Sequence, residues 1–320
     1  MIRTRAGAVL AAGLALLLSG CSQATSAPAD APPEKASITV TGLPIVDTAP
    51  LYLAQQEGLF KAQGLDVTIR TLPSSNQSLP GLADGSVDIA GGGNYVTFFG
   101  AQARKDADLR VVAEGALASP GLDQVVTRPN SGIDAPEQLA GRTIAVNTPP
   151  PNIQTLTLGR VLAARGVDPD SVKYVTMPFP QAVAALKAGT LDAAWLVEPF
   201  VTQAESDFGA LPLIDPTSGP TGTFPLDGYF TTARFAEQYP ATVRAFRRAI
   251  SQASEMAADD QRVTGILPTY TTVSPTTAGI ITLPDYPTTV QPARLQRVLD
   301  LMAQSGMLGQ RLDATTLVTQ

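Results

Sequence analysis

From residue 37 onward, short apolar runs alternate with stretches of helical period, the pattern of an α/β protein with parallel strands. β-branched runs predict strands at 38–40, 65–70, 87–90, 109–113, 124–127, 143–146, 172–176 and 191–195. Helical patterns fall at 51–57, 153–165, 181–187, 235–257 and 292–307, the first with Pro50 in its opening turn and Gly58 at its end. Residues 268–287, rich in Thr and Pro, read as a loop with little regular structure.

One segment recurs. Leu82-Ala-Asp-Gly85-Ser-Val-Asp88-Ile-Ala90 matches Leu186-Lys-Ala-Gly189-Thr-Leu-Asp192-Ala-Ala194 at a constant offset, 186 − 82 = 104, and 38–40 matches 144–146 at a similar spacing. Matches this short have two readings, coincidence or a duplicated unit. A duplication implies two similar lobes whose loops lie beyond the carboxyl ends of their strands, where ligands of open α/β sheets bind. Two facing lobes form a cleft that closes by hinge motion.

The first residues follow another pattern. Arg3 and Arg5 precede an apolar run from Ala6 to Leu18 that leads into Leu18-Ser19-Gly20-Cys21. A basic start, a short apolar run and small residues make a signal peptide over 1–20, too short to span a bilayer. Residues 21–36, small, polar and Pro-rich, read as a flexible linker able to hold a folded domain up to roughly 45 Å from its anchor.

Composition narrows the chemistry. The single Cys lies at the processing site, so the remaining chain has no thiol for a disulfide, a metal or catalysis, and no cofactor or metal is expected. There is no His, which excludes imidazole as base, shuttle or ligand. Without Arg3 and Arg5, 22 − 2 = 20 basic residues face 28 acidic ones, a balance that disfavours nucleic acid as a partner.

LSGC resembles the bacterial lipobox, which implies acylation of Cys21 and a lipid anchor on the outer face of the cell membrane. The rest of the chain resembles the substrate-binding proteins of ABC importers of the nitrate, sulfonate and taurine group, which includes proteins similar to thiamine-pyrimidine binders. The resemblance rests on APLYLAQQEGLFKAQGLDV (49–67), GSVDIAGGGN (85–94), LRVVAEG (109–115), SGIDAPEQLAGRTIAV (131–146), MPFPQAVAALKAGTLDAAWLVEPF (177–200) and DGYFTT (227–232). It implies a periplasmic-binding-protein fold of type II. Lobe 1 would span 37–126 and lobe 2 127–222, with a return to lobe 1 and C-terminal helices over 223–320. It also implies a small-molecule ligand, an ABC permease with its ATPase as partners, and a monomer.

Cleft candidates follow by position. Asp47 and Thr48 precede the first helix, where free amides favour an acceptor atom; capping that helix is their alternative role. Asn94 and Tyr95 follow a glycine run that admits close backbone approach, or that serves only a tight turn. Asn147, Asn152 and Thr155 surround three prolines before a helix start, with capping the alternative for Asn152. Relatives with oxyanion ligands carry a Gly-Ser or Ser-Thr pair near this helix, and the departure here argues against nitrate or a sulfonate. The offset maps Asn94 onto Glu198, so Trp195 and Glu198 are expected just past a strand at the same cleft, with core packing and an Arg partner as their structural alternatives. Tyr229 is a further candidate, with packing at the hinge as its other role.

These positions hold carboxylates, amides, hydroxyls and aromatics but no Lys or Arg. They favour a neutral or cationic polar nutrient, heteroaromatic and pyrimidine-like in one version, over an anion. Nitrate, an alkanesulfonate or taurine is the alternative, and a ligand-sensing lipoprotein that docks on a receptor is another. An enzyme is not expected: the family's pyrimidine-forming branch needs a His and a Cys-rich segment, and no acid pair here has a motif spacing for general acid and base roles.

Overall fold

The computed structural model describes residues 31–218 and 221–319. Cys21, the signal peptide and most of the expected linker lie outside them. Among the described residues, no helix is long and apolar enough to cross a membrane.

The first lobe opens with β1 (Ser37–Gly42), α1 (Ala49–Gln56), α2 (Leu59–Ala62) and β2 (Asp66–Thr71). It continues through α3 (Leu79–Asp84), β3 (Ile89–Asn94), α4 (Tyr95–Arg104) and β4 (Leu109–Glu114). The second lobe comprises β5 (Asp123–Thr127), β6 (Thr143–Val146), α5 (Ile153–Ala164), β7 (Lys173–Thr176), α6 (Phe179–Lys187), β8 (Ala193–Val197), α7 (Phe200–Phe208) and β9 (Leu211–Ile214). The chain then returns through β10 (Asp227–Thr232), α8 (Ala233–Gln238), α9 (Pro240–Met256) and α10 (Asp260–Tyr270). It ends with α11 (Pro275–Ala278), α12 (Pro292–Gln304) and α13 (Ala314–Leu317).

Two sheets of five strands result, ordered β2-β1-β3-β10-β4 and β7-β6-β8-β5-β9. In each, three parallel strands are followed by one antiparallel strand, β10 or β5. The repeat is real down to register. Val40 and Thr41 pair with Ile89 and Ala90, and Ile144 and Ala145 pair with Ala193 and Ala194, every partner displaced by 104.

The same offset relates the antiparallel strands, since 227 − 123 = 104. Each repeat therefore ends in a strand that leaves its own lobe: β5 closes the second sheet and β10 the first. The expected lobe boundary at 126 is corrected accordingly, because Gln124 to Thr127 pair with β8 and β9 in the second sheet. The crossing occurs over 115–122, and the returning chain lies beside it. Ala118 N–H donates to Phe224 O at 2.8 Å and Leu226 N–H to Ala116 O at 3.0 Å.

The expected linker is also shorter than its composition suggested. Glu34 accepts hydrogen bonds from the amides of Ala241 and Thr242, both at 3.0 Å, at the start of α9. Lys35 Nζ lies 2.7 Å from Asp88 Oδ1. A Pro-rich sequence lacks a core but still supplies these two charged side chains to a helix end and a buried carboxylate.

Each sheet has its own core. The first contains Phe60, Phe98, Phe230 and Phe246, and the C-terminal helices join it through Ala249, Ile266, Leu295 and Leu299. The second is built on Val125, Ile144, Leu162, Leu186 and Leu196. The stretch expected as one helix over 235–257 breaks at Tyr239 because Pro240 starts a new helix. The Thr- and Pro-rich stretch is more helical than expected: α10 carries Pro268 near its end, and Pro275 opens α11 with Ser274 as its cap.

Candidate functional site

The carboxyl ends of the central parallel strands in both sheets face one interlobe cavity, with about 460 Å³ of space free of protein atoms, part of it open to solvent. The first lobe contributes Leu43, Ile45, Asp47, Gly92, Asn94 and Asp227 to its wall. The second contributes Asp123, Asn147, Thr148, Gln154, Phe179 and Trp195. Gly92 suits a close approach of the backbone here, because φ is +69° and a Cβ would run into the side chains of Leu43 and Thr48.

Three carboxyl groups lie in an otherwise largely apolar wall. Asp47, Asp123 and Asp227 are 4%, 0% and 5% exposed, so none is solvated as an ordinary surface acid. Asp47 lies in the short turn before α1, and its Oδ1 has no partner among the described residues. Asp123 and Asp227 are the first residues of β5 and β10, opposite Val197 and Asn94 at the cleft ends of β8 and β3. Asp227 Oδ1 accepts from Ala116 N at 3.0 Å, whereas neither oxygen of Asp123 has a partner among the described residues.

Burial pushes the Asp47 carboxyl up to about 7. It drives Asp123 and Asp227 well above the usual carboxylate range, and the neighbouring Asp47 charge adds to both. No Lys or Arg lines the cavity among the described residues. Three buried acids without a counter-cation are costly when ionised, so such a cavity takes either protons or a cationic group.

The rest of the wall is apolar or donates. Trp195 Nε1 and Thr148 Oγ1 are buried without partners among the described residues. Phe179 is held flat by Phe200, with ring centroids 5.3 Å apart and planes 25° from parallel. Gln154 fixes two walls at once: its Oε1 accepts from Asn147 N at 2.6 Å and its Nε2 donates to Trp195 O at 3.2 Å.

Of the positions expected from sequence, Asp47, Asn94, Asn147 and Trp195 line the cavity. Asn94 does so while also capping α4, its Oδ1 accepting from Thr97 N at 3.1 Å. The other expected residues do not line it. The Thr48 hydroxyl donates within its own turn to Leu43 O and Ile45 O at 2.7 and 3.0 Å. Tyr95 and Tyr229 are buried in the first lobe's core, packed on Phe99 and Phe230 and on Phe246. Asn152 and Thr155 cap α5 reciprocally, at 2.9 and 3.2 Å.

Glu198 turns away from the cavity to Thr202, with Oε1 to Thr202 Oγ1 at 2.7 Å, and no Arg partner is recorded for it among the described residues. Burial raises its carboxyl to about 7. It helps tie the lobes instead: its carbonyl accepts from Val46 N at 3.1 Å and its Oε1 from Thr282 N at 3.4 Å. Asn147 adds a second tie, its Nδ2 donating to Pro73 O and its carbonyl accepting from Ser74 Oγ, both at 3.1 Å.

Sequence reasoning missed Asp123, Asp227, Gln154 and Phe179. A usable signal was present for the two aspartates, each the first residue of an otherwise buried strand, DQVVT and DGYFTT, at the offset of the repeat.

The family described as NMT1/THI5 like matches residues 45–263. The taurine-binding periplasmic protein of Escherichia coli (strain K12) is 28% identical over 222 residues, 68% of this chain and 66% of that protein. The chain thus spans just under two thirds of that curated relative. The alkanesulfonate-binding protein SsuA from Xanthomonas axonopodis pv. citri, solved with MOPS bound, is similar with a TM-score of 0.76 at 22% identity, over 89% of this chain and 98% of that one. The periplasmic nitrate-binding protein NrtA from Synechocystis PCC 6803 follows at 0.73 and 18% identity, over 89% and 86%. These structural likenesses show the periplasmic-binding-protein fold.

Proposed function

Because the chain belongs to the NMT1/THI5-like family, we propose that it is the solute-binding component of an ABC importer, capturing a small polar nutrient between its lobes for a membrane permease. The observation that carries the choice of ligand is the wall of three buried carboxyl groups with no basic residue among them. A cation entering there replaces protons and removes the cost of the buried acids. An apolar or flat part of the same molecule would lie against Ile45, Phe179 and Trp195. Binding closes the cleft because each lobe supplies part of the contact surface. Lipidation of Cys21 would keep the binder near its permease, and a Cys21→Ser variant that still partitions with membranes would sink that part of the reading.

Thermal-shift screening of a metabolite panel tests the ligand class. A ligand at about 100 times its Kd stabilises the fold by ~2.7 kcal/mol. Amines and other organic cations are expected to raise Tm, and simple alkanesulfonates and nitrate to leave it unchanged. The opposite pattern would overturn the cation assignment.

One second reading has a specific observation behind it. The unpartnered Trp195 Nε1 and Thr148 Oγ1 are donors in the same cavity and would suit an acceptor group. An aminosulfonate such as taurine offers an ammonium to the carboxylates and oxygens to these donors. Tight binding of taurine with none of ethanesulfonate would favour this reading.

A further inference from the structure

Resting on the reading of this cavity as a cation site, we infer that the cation is planar and forked, a guanidinium or amidinium, in preference to a compact ammonium. Asp123 carries the inference. Its carboxyl group is fully buried and lines the cavity, and neither oxygen meets a hydrogen-bond donor among the described residues. Both oxygens therefore await donors from inside the cavity. An ammonium meets a carboxylate as a point charge, whereas a guanidinium or amidinium presents two parallel N–H groups in the plane of the acid.

The second sheet sets a flat surface beside that acid. In the ladder of β5 with β8, Asp123 lies opposite Val197 and Val125 opposite Trp195. Asp123 and Trp195 are thus diagonal neighbours on one face of the sheet, within reach of a single bound group. Both line the cavity, and the stacked Phe179 offers a second aromatic surface. A planar cation held edge-on by Asp123 keeps its faces free for such rings, which bind guanidinium groups well.

The first lobe supplies the remaining acceptor. Asp47 Oδ1 is buried, unpartnered and on the opposite wall of the same cavity. A guanidinium has N–H groups left after pairing with Asp123, and one directed to Asp47 ties the second lobe to the first. Closure and neutralisation of the buried acids are then one event.

Matched pairs test this by calorimetry and Trp195 fluorescence on the full chain: methylguanidine with methylamine, benzamidine with benzylamine, and agmatine with putrescine. The forked member of each pair is expected to bind tighter by at least about tenfold. Asp123→Asn is expected to erase that preference, with circular dichroism confirming the fold. If Asp123→Asn does not fold, the pairwise comparison on the unaltered protein decides alone. Equal or tighter binding of the amines overturns the inference, as does a preference that survives in Asp123→Asn. Binding of taurine or another panel solute with none of the six probes also overturns it, while the solute-binding reading stands. Failure of every solute in the wider panel removes both.

Discussion

In each lobe an aspartate just before the third parallel strand fastens the first strand, Asp88 to the Thr39 amide at 2.9 Å and Asp192 to the Thr143 amide at 2.8 Å. Donors and acceptors alike are displaced by 104. At the cleft ends of the same strands the correspondence fails. Asn94 faces the cavity, whereas its counterpart Glu198 bonds Thr202 and Thr282. Asp227 is partly satisfied by the Ala116 amide, while Asp123 has no partner. Positions that set strand pairing are fixed by the backbone ladder and keep their chemistry through a duplication. At the rim the side chains leave the ladder for the cleft, and there even the matching Asp123 and Asp227 are bonded differently, which leaves the free acceptors on Asp123.

The sharpest way to break this comparison is to neutralise the paired aspartates separately, using any ligand confirmed by screening. Removing one partner of a buried charge pair costs about 2–5 kcal/mol, so Asp123→Asn should weaken binding by about thirtyfold to several thousandfold. Asp227→Asn should cost less affinity, because one oxygen already serves the crossover, and should cost some stability instead. Calorimetry together with thermal melts separates the two. Equal losses of affinity would mean that the lobes contribute alike and that the asymmetry at Asp123 has no binding consequence.

A pH experiment on the ligand-free protein sharpens the same point. Burial lifts Asp47 to about 7 and raises Asp123 and Asp227 well above their ordinary range, with Glu198 also lifted to about 7. Above the unfolded carboxylate range, near pH 4, the folded state holds more protons than the unfolded chain, so stability falls as pH rises toward 7. Tm should accordingly be higher by some degrees at pH 5 than at pH 8. Asp47→Asn should make the profile less steep across that interval, because the amide cannot titrate, while Glu198, Asp123 and Asp227 keep the rest of the slope. A bound cation reverses the preference, since binding displaces protons and affinity rises with pH. A flat profile in the unaltered protein would show that these acids are solvated.

The scaffold was legible in sequence because its determinants are local or periodic. The LADGSVDIA repeat located both third strands, and the Asp and Gly within it have the same roles in the two copies, Gly85 and Gly189 both adopting positive φ. The lobe boundary was not legible. A strand crossing to the other sheet has the same apolar pattern as one that stays, and only pairing distinguishes them. The site was half legible for a similar reason. Thr48, Asn152 and Thr155 have the polar groups of ligand contacts, but helix caps need the same groups, and here the caps take them. Tyr95 follows a strand end and Tyr229 lies within β10, yet burial in the core takes both. Asp123 and Asp227 escaped notice because their cavity exists only once two segments far apart in sequence return together.

The conserved half of the comparison predicts a smaller, graded effect on stability. Asp88 is buried, receives the Thr39 amide and pairs with Lys35, whereas Asp192 is more exposed and lies 3.6 Å from Arg142. A lost hydrogen bond to a charged group costs about 1.5–3 kcal/mol when buried and less when water can replace it. Urea unfolding should therefore show Asp88→Ala less stable than Asp192→Ala. The reverse order would mean that the second lobe depends more on this contact than its exposure suggests.

The smallest effect lies in the cations of those two contacts. Lys35 is one of the residues that extend the folded domain beyond its expected start, and its ion pair is 2.7 Å long to a carboxyl group only 6% exposed. Arg142 reaches a carboxyl group 36% exposed over 3.6 Å, a contact that water and salt screen readily. Exposed pairs are worth about 0–1 kcal/mol, so Arg142→Ala should be close to neutral. Lys35→Ala should be the costlier, and its cost should shrink less when salt is raised, because the Asp88 carboxyl is shielded from solvent. Equal salt sensitivity in the two variants would place both pairs at the surface, and the residues before β1 would then act as linker after all.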